Sequence, residues 1–422
     1  MKAVQPRFLW IGFIIAIAVA AYAVGRWQQV QVGLSSLTHE QSSAPASGTG
    51  SVAEPTQPDA DTASRQMGGV QSGQQRFAHY SLGDLNVKTL LLDGDVVWIG
   101  TSAGLVRFDA RQGTNKVYDN RSGLLSNGVF YLGRQGSEVW IGTYGGGLSI
   151  LDTVAGTWRN YNIPQGLADA FVYDVLKTKS GDIWFATWSG ANRVLKGALD
   201  DPTMWELYTV ENTKGGLPND WVYGLAEGKN GEVWFATEGG LARYADNAWQ
   251  HWSHAEGLGA AYETVAGDIQ FNRDPGQVSQ HHARQKEEQG LKEIGVAYNP
   301  NYVVALALGA DGTVWAGTWG GGLSSFDGSQ WRTYTTKNGL PANHVFALTA
   351  DQSGQIWVGT SRGIARFRDG QFTTFGTVDG LFSDAVFAIE IADDGNTWIG
   401  SYGGVAWFPH GIGKAAASTT VN

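Results

Sequence analysis

The chain has 422 residues, 29 Lys+Arg against 39 Asp+Glu, a formal net charge of −10 and no cysteine. The lack of cysteine excludes a disulfide framework, a thiol nucleophile and a thiolate metal site. The acidic balance argues against non-specific binding of nucleic acid, and the length exceeds one ordinary hydrophobic core unless repeats each pack only on their neighbours.

Residues 8–24 read FLWIGFIIAIAVAAYAV without a charge, with Lys2 and Arg7 before and Arg26 after. The run is long for a signal peptide and near the lower limit of a membrane span. It is read as a transmembrane signal anchor over residues 8–25, with residues 1–7 cytoplasmic from the basic excess. Cleavage after Ala21-Tyr22-Ala23 is the alternative, and either one exports the rest of the chain. Residues 26–75 form the linker. From residue 38 they are rich in Ser, Thr, Ala, Gly, Gln and Pro, a composition that buries too little surface to order itself. As a flexible tether that stretch spans roughly 30–37 Å.

Residues 76–411 carry a repeat. A tryptophan, one apolar or small residue, Gly or Ala, and Thr or Ser recur at Trp98, Trp140, Trp184, Trp234, Trp315, Trp357 and Trp398. The copies lie 41–50 residues apart, except for 81 between Trp234 and Trp315. Around each copy the pattern reads as four strands with period-2 patterning and a turn glycine three residues before the tryptophan, as at Gly354. Self-similarity at this period predicts an all-β, seven-bladed propeller of four-stranded blades. The motif strand is apolar on both faces, so the tryptophans are expected in packing between blades. The last unit lacks a fourth strand, and a spare copy with Phe77 and Tyr80 precedes the first. That copy is expected to complete the last blade and close the ring.

Between Leu258 and Trp315 about forty residues are inserted, at 260–297. Insertions of this length are often functional. This one is expected to be a flap at the channel mouth, with one helix over Ser279–Glu288. Adjacent His281 and His282 should point different ways on that helix, and no metal or other cofactor is expected. Residues 412–422 are read as a tail.

Candidate binding residues come from turns on one face. Tyr144, Trp188, Glu238, Trp319 and Tyr402 follow the motif Thr or Ser; Asn127, Asp220, Asn301, Asn343 and Asp384 precede the first-strand valine by two, with His344 next to Asn343. Aromatics beside Asn and Asp suit flat polar ligands such as sugars. The alternative is that the Asn and Asp side chains satisfy turn backbone.

The units VWIGTYGGGLSILD, VWAGTWGGGLSSFDG and IWVGTSRGIARFRDG resemble two-component regulator propeller repeats. The resemblance implies an exported sensor domain of a membrane-bound signalling system, some of which respond to glycans. The sequence holds one propeller and no kinase segment, so kinase activity is not expected. GDIWFATWSG and GEVWFATEGG also resemble virginiamycin B lyase repeats. Glu238 and His344 are chemically plausible stand-ins for that family's acid–base residues, although no motif places them. The expected function is therefore a membrane-tethered sensor in the periplasm, binding a glycan or other small polar ligand and acting through an envelope or signalling partner. The alternatives are a lyase or hydrolase and a protein scaffold.

Overall fold

Every motif strand is buried along its length. In the sixth unit this strand, Ile356–Thr360, lies between Val345–Ala350 and Gly363–Arg368, and Gln371–Phe375 forms the outer edge. All pairings are antiparallel. We call these strands a, b, c and d from the axis outward and number the units by their tryptophans. The computed structural model describes residues 77–269, 274–277, 279–409 and 411–413. The expected anchor (8–25) and linker (26–75) lie outside the described residues. Among the described residues no helix is long and apolar enough to cross a membrane.

Each strand-b tryptophan packs into the next unit. Trp357 meets Val386, Ile389 and Ile399 of unit 7, and Trp315 meets Val345, Ile356 and Val358 of unit 6. Trp398 of the last unit meets Val87, Leu90 and Ile99 of the first, which closes the ring. The small residue two places after each tryptophan makes room for the neighbour's first-strand valine. A Cβ at Gly317 would lie 2.5 Å from Val345 Cγ1, and one at Gly400 the same distance from Val87 Cγ1. Large side chains thus meet gaps that only Gly or Ala leaves open, which keeps the interior at high density.

The expectation of a seven-bladed propeller is corrected. The strands form six sheets, five of four strands and one of six. The cause is Ala78–Asp93, a single strand that serves two units. Its start pairs with the end of Thr397–Phe408, Ala78 opposite Trp407 and Ser81 opposite Gly404. Its later part, from Val87 to Asp93, pairs with Val96–Thr101. Units 7 and 1 therefore share one continuous sheet, and the residues around Tyr80 supply the outer strand that unit 7 lacks.

Strand a carries a register break just after its buried valine, between Val129 and Tyr131, Val222 and Gly224, Val345 and Ala347, and Val386 and Ala388. The same break occurs between Val87 and Thr89 and between Val303 and Ala305. Such a bulge re-aims the extra residue. Phe130, Tyr173, Tyr223, Phe346 and Phe387 occupy it in five units and Lys88 in another.

Between units 4 and 5 the insertion holds a short helix α1 (Tyr262–Val265) and a longer one, α2 (Gln280–Glu288). Its small core comprises Ala260, Val265 and Tyr298, packed by Leu291, Ile294 and Val296. Lys286 of α2 is buried against Asp274, with the ammonium 2.5 Å from Oδ2, and also donates to the carbonyls of Ile294 and Val296. At the other end of the chain, Ile412 is buried in the last core with Trp357 and Phe408. Packing therefore runs past the expected domain limit at residue 411.

Candidate functional site at the mouth

Hydrogen bonding fixes the turns that carry the candidate residues. The motif threonine donates to a glycine carbonyl across the b–c turn, as from Thr187 Oγ1 to Gly190 O and Thr237 Oγ1 to Gly240 O, 2.7 and 2.8 Å. The next residue then bonds back to the start of strand a: Tyr144 N to Gly128 O, and Glu238 N to Trp221 O. The b–c turns and the crossings between units therefore share one face. The side chains that follow the motif threonine stand beside those that precede the first-strand valine.

Those side chains build a stack. Trp188 lies face to face with Phe171 (4.0 Å between centroids, 13°) on one side and Trp221 (4.5 Å, 2°) on the other. His281 of α2 covers the far face of Trp221 at 3.4 Å and 10°. Tyr144 abuts the stack edge-on, against Phe171 and Trp188. Below runs a collar of bulge residues: Phe130 meets Tyr173 at 4.8 Å, Tyr173 meets Tyr223 at 4.9 Å, and Phe346 meets Phe387 at 5.4 Å. Lys88 sits over Phe387. In unit 5 the bulge holds Val304, and Tyr302 and Trp319 bridge that gap between Tyr223 and Phe346. Burial pushes the Tyr173 and Tyr223 hydroxyls well above their ordinary range.

Glu238 is the charged centre of the site. Its side chain is 1% exposed. His281 Nε2 lies 3.0 Å from Oε2 and His282 Nδ1 2.6 Å from Oε1. Both ring nitrogens must carry a proton to donate to a carboxylate. Burial pushes the Glu238 carboxyl up, but the hydrogen bonds from His281 and His282 outweigh it and hold the group below its ordinary range. The expectation that the two adjacent histidines point apart is thus corrected: one rises onto Trp221, and both reach the same carboxylate. No spacing rule links a turn residue of unit 4 to a helix more than forty residues later, so no sequence signal pointed to the pairing. Among the described residues no group of three or more His, Asp or Glu is arranged to hold a metal ion.

The Asn and Asp candidates have backbone partners. Asn120 N donates to Asn127, Val210 N to Asp220, His254 N to Asn301, Thr336 N to Asn343 and Thr377 N to Asp384, at 2.6–3.0 Å. Each side chain fixes the crossing that leads into its own unit. Asn301 also donates to Gln289 beyond α2. His344 is buried at 2% exposure, with Nε2 2.7 Å from the carbonyl of Ala297. Burial lowers it to about 4, against that hydrogen bond, so its ring is neutral at ordinary pH. Trp319 packs edge-on against His344, and Tyr402 is 43% exposed. The site thus gathers Tyr144, Trp188 and Glu238 with Phe171, Trp221 and the two histidines. The bulge residues escaped the sequence reading, although an aromatic side chain follows the first-strand valine in most units.

Fold and site together define a β-propeller with an aromatic, acid-centred mouth. Residues 216–239 and 339–362 match the sequence profile described as two component regulator propeller. The first match contains Trp221, Tyr223 and Glu238, so it crosses the mouth. No curated protein matches the chain by sequence. Among solved structures, the extracellular domain of a hybrid two component system from B. thetaiotaomicron superposes with a TM-score of 0.59 at 21% identity. The alignment covers 78% of this chain and 39% of that one. This chain thus spans about two fifths of that domain. Virginiamycin B lyase from Staphylococcus aureus gives 0.54 at 14% identity, covering 79% and 98%. YCF48 bound to D1 peptide gives 0.51 at 12%, covering 80% and 97%. Identities this low establish a shared fold.

Proposed function

We propose that the chain is a ligand-binding sensor propeller, held outside the cytoplasm by an anchor at residues 8–25 and the linker at 26–75. Its mouth takes a small polar ligand, and occupancy passes to a signalling partner in the membrane or envelope. The observation that carries this reading is the Phe171–Trp188–Trp221 stack beside the buried Glu238 carboxylate. Such a concave meeting of stacked aromatics and one buried charge binds and orients a ligand. The extracellular two component neighbour and the regulator repeats lying across the mouth support the sensor role. Acid–base catalysis is less well served, because His344 is neutral and committed to a backbone carbonyl, and both oxygens of Glu238 are taken by histidines.

Reporter fusions test the placement. Alkaline phosphatase fused after residue 422 should be active, and green fluorescent protein at the same point dark. A fluorescent, phosphatase-inactive pair overturns the export half of the reading. For the ligand half, the full-length protein in detergent is screened against small polar molecules by tryptophan fluorescence. A hit that shifts wild type and fails to shift Trp221→Ala supports the mouth, whereas a hit that shifts both equally places binding elsewhere.

A further inference from the structure

α2 fills the mouth with the ring of one of its own histidines. The stack of Phe171, Trp188 and Trp221 ends on an imidazole 3.4 Å away, a spacing that only a flat π-system reaches. Both oxygens of the carboxylate beside it accept from N–H groups that α2 supplies. From the ring of repeats itself, the hydrogen bond described to this carboxylate is a long one from the Tyr223 hydroxyl, at 3.4 Å. If α2 left, a buried negative charge would lose its compensating donors, which is strongly unfavourable. A replacement for α2 that matches what it covers is planar and carries N–H donors, and a positive charge on it would complement the carboxylate.

His282 also meets Trp221 edge-on and stacks on Tyr302 at 5.8 Å, and the other bonds to the ring of repeats, from α2 and the residue that follows it, are polar. Asn219 Nδ2 donates to Gln285 Oε1, Gln289 Nε2 donates to the Glu238 carbonyl, and Asn301 Nδ2 donates to Gln289 Oε1. Water can replace such bonds. The insertion's apolar core, from Ala260 to Tyr298, packs on itself, and Lys286 is held within the insertion by Asp274. The face of α2 over the mouth can thus separate without opening a hydrophobic core.

We propose that α2 is a built-in competitor, and that the mouth's ligand is a planar cationic nitrogen ring that stacks on Trp221 and pairs with Glu238 in place of His281 and His282. This rests on the sensor reading and narrows its ligand from polar molecules in general to one chemical class.

The test uses the full-length protein in detergent, with histamine as the cationic imidazole probe and glucose as the neutral sugar probe. Calorimetric titration compares wild type, the double variant His281→Ala/His282→Ala, and that double variant with Glu238→Gln added. Removing the tethered rings should tighten histamine binding at least tenfold over wild type, and adding Glu238→Gln should abolish the gain. Glucose should bind none of the three. Hydrogen exchange on wild type gives a readout that does not depend on the variants folding: histamine should speed exchange at residues 280–288. Unchanged exchange in wild type together with equal histamine affinity in the double variant overturns the competitor role. A double variant that binds glucose and not histamine overturns the ligand class and leaves the sensor reading standing. Failure of that reading shows separately, in the reporter fusions.

Discussion

Tyr80 stacks on Trp398 with ring centroids 5.6 Å apart and 19° between planes, although the two residues lie at opposite ends of the repeat sequence. Tyr80 also contacts Phe108 of unit 1 at 4.6 Å. One side chain therefore touches both units that the shared strand joins. Replacing it by alanine should cost about 2–4 kcal/mol, in line with large-to-small changes at partly buried aromatics. Tyr80→Phe should cost less than Tyr80→Ala, because the ring remains. Chemical denaturation of both variants checks this. Equal midpoints for Tyr80→Ala and wild type would mean that the strand exchange contributes nothing to closure.

A second prediction concerns the motif glycine. Gly317→Ala would place a methyl group 2.5 Å from Val345 Cγ1. Both strands are buried, so the neighbour cannot step aside, and overpacking of this kind costs about 1–3 kcal/mol. Val345→Ala opens a cavity and should destabilise by itself. The double variant Gly317→Ala/Val345→Ala should be more stable than the sum of the single effects, with a coupling of about 1 kcal/mol or more. Additive effects in the denaturation cycle would refute the gap-filling account of the motif.

The repeat and its packing were legible because they are local. A tryptophan beside a glycine on a strand apolar on both faces has few other uses. The merger of two units into one sheet was not legible. It depends on whether Ala78–Asp93 breaks between its two pairings, and nothing in the residues around Gly83 announces that it stays continuous. At the mouth, the residues after the motif threonine could be found from sequence because turn geometry places them. Their chemistry could not, since Glu238 is defined by a helix from the insertion and Trp188 by stacking partners in two neighbouring crossings. The Asn and Asp set shows the opposite limit, where residue type suited a ligand and the backbone took the side chains.

Burial pushes the Glu390 carboxyl up to about 7 from an ordinary 4.5. The folded protein therefore keeps a proton that the unfolded chain has already released between those values. Stability from this group is fully present below about pH 4.5 and falls as pH rises to about 7. The loss amounts to about 3 kcal/mol for a shift of this size. His344 works the other way, since its folded value lies near 4 and stability is lost as pH falls from about 6.5. Glu390→Gln should raise the thermal midpoint at pH 8 and leave it nearly unchanged at pH 4.5. In that variant the rise in stability between pH 4 and 6.5 should steepen. A midpoint difference between variant and wild type that does not depend on pH would show that Glu390 is not held protonated.

Lys286 and Asp274 form the one strongly buried ion pair described within the insertion, with side chains 8% and 6% exposed. Removing one partner strands a buried charge, which typically costs about 3–5 kcal/mol, whereas removing both together costs much less. The pair ties α2 to its own insertion, and the seven inter-unit cores lie elsewhere. Asp274→Ala should therefore unlatch α2 without unfolding the ring, a local opening of the kind hydrogen exchange resolves. Amides of residues 280–288 should exchange at least tenfold faster, while strand b of every unit keeps its protection. Adding Lys286→Met should restore much of the slow exchange. If Asp274→Ala instead lowers the protection of ring and insertion alike, α2 belongs to the cooperative fold of the propeller and cannot act as a separable cover for the mouth.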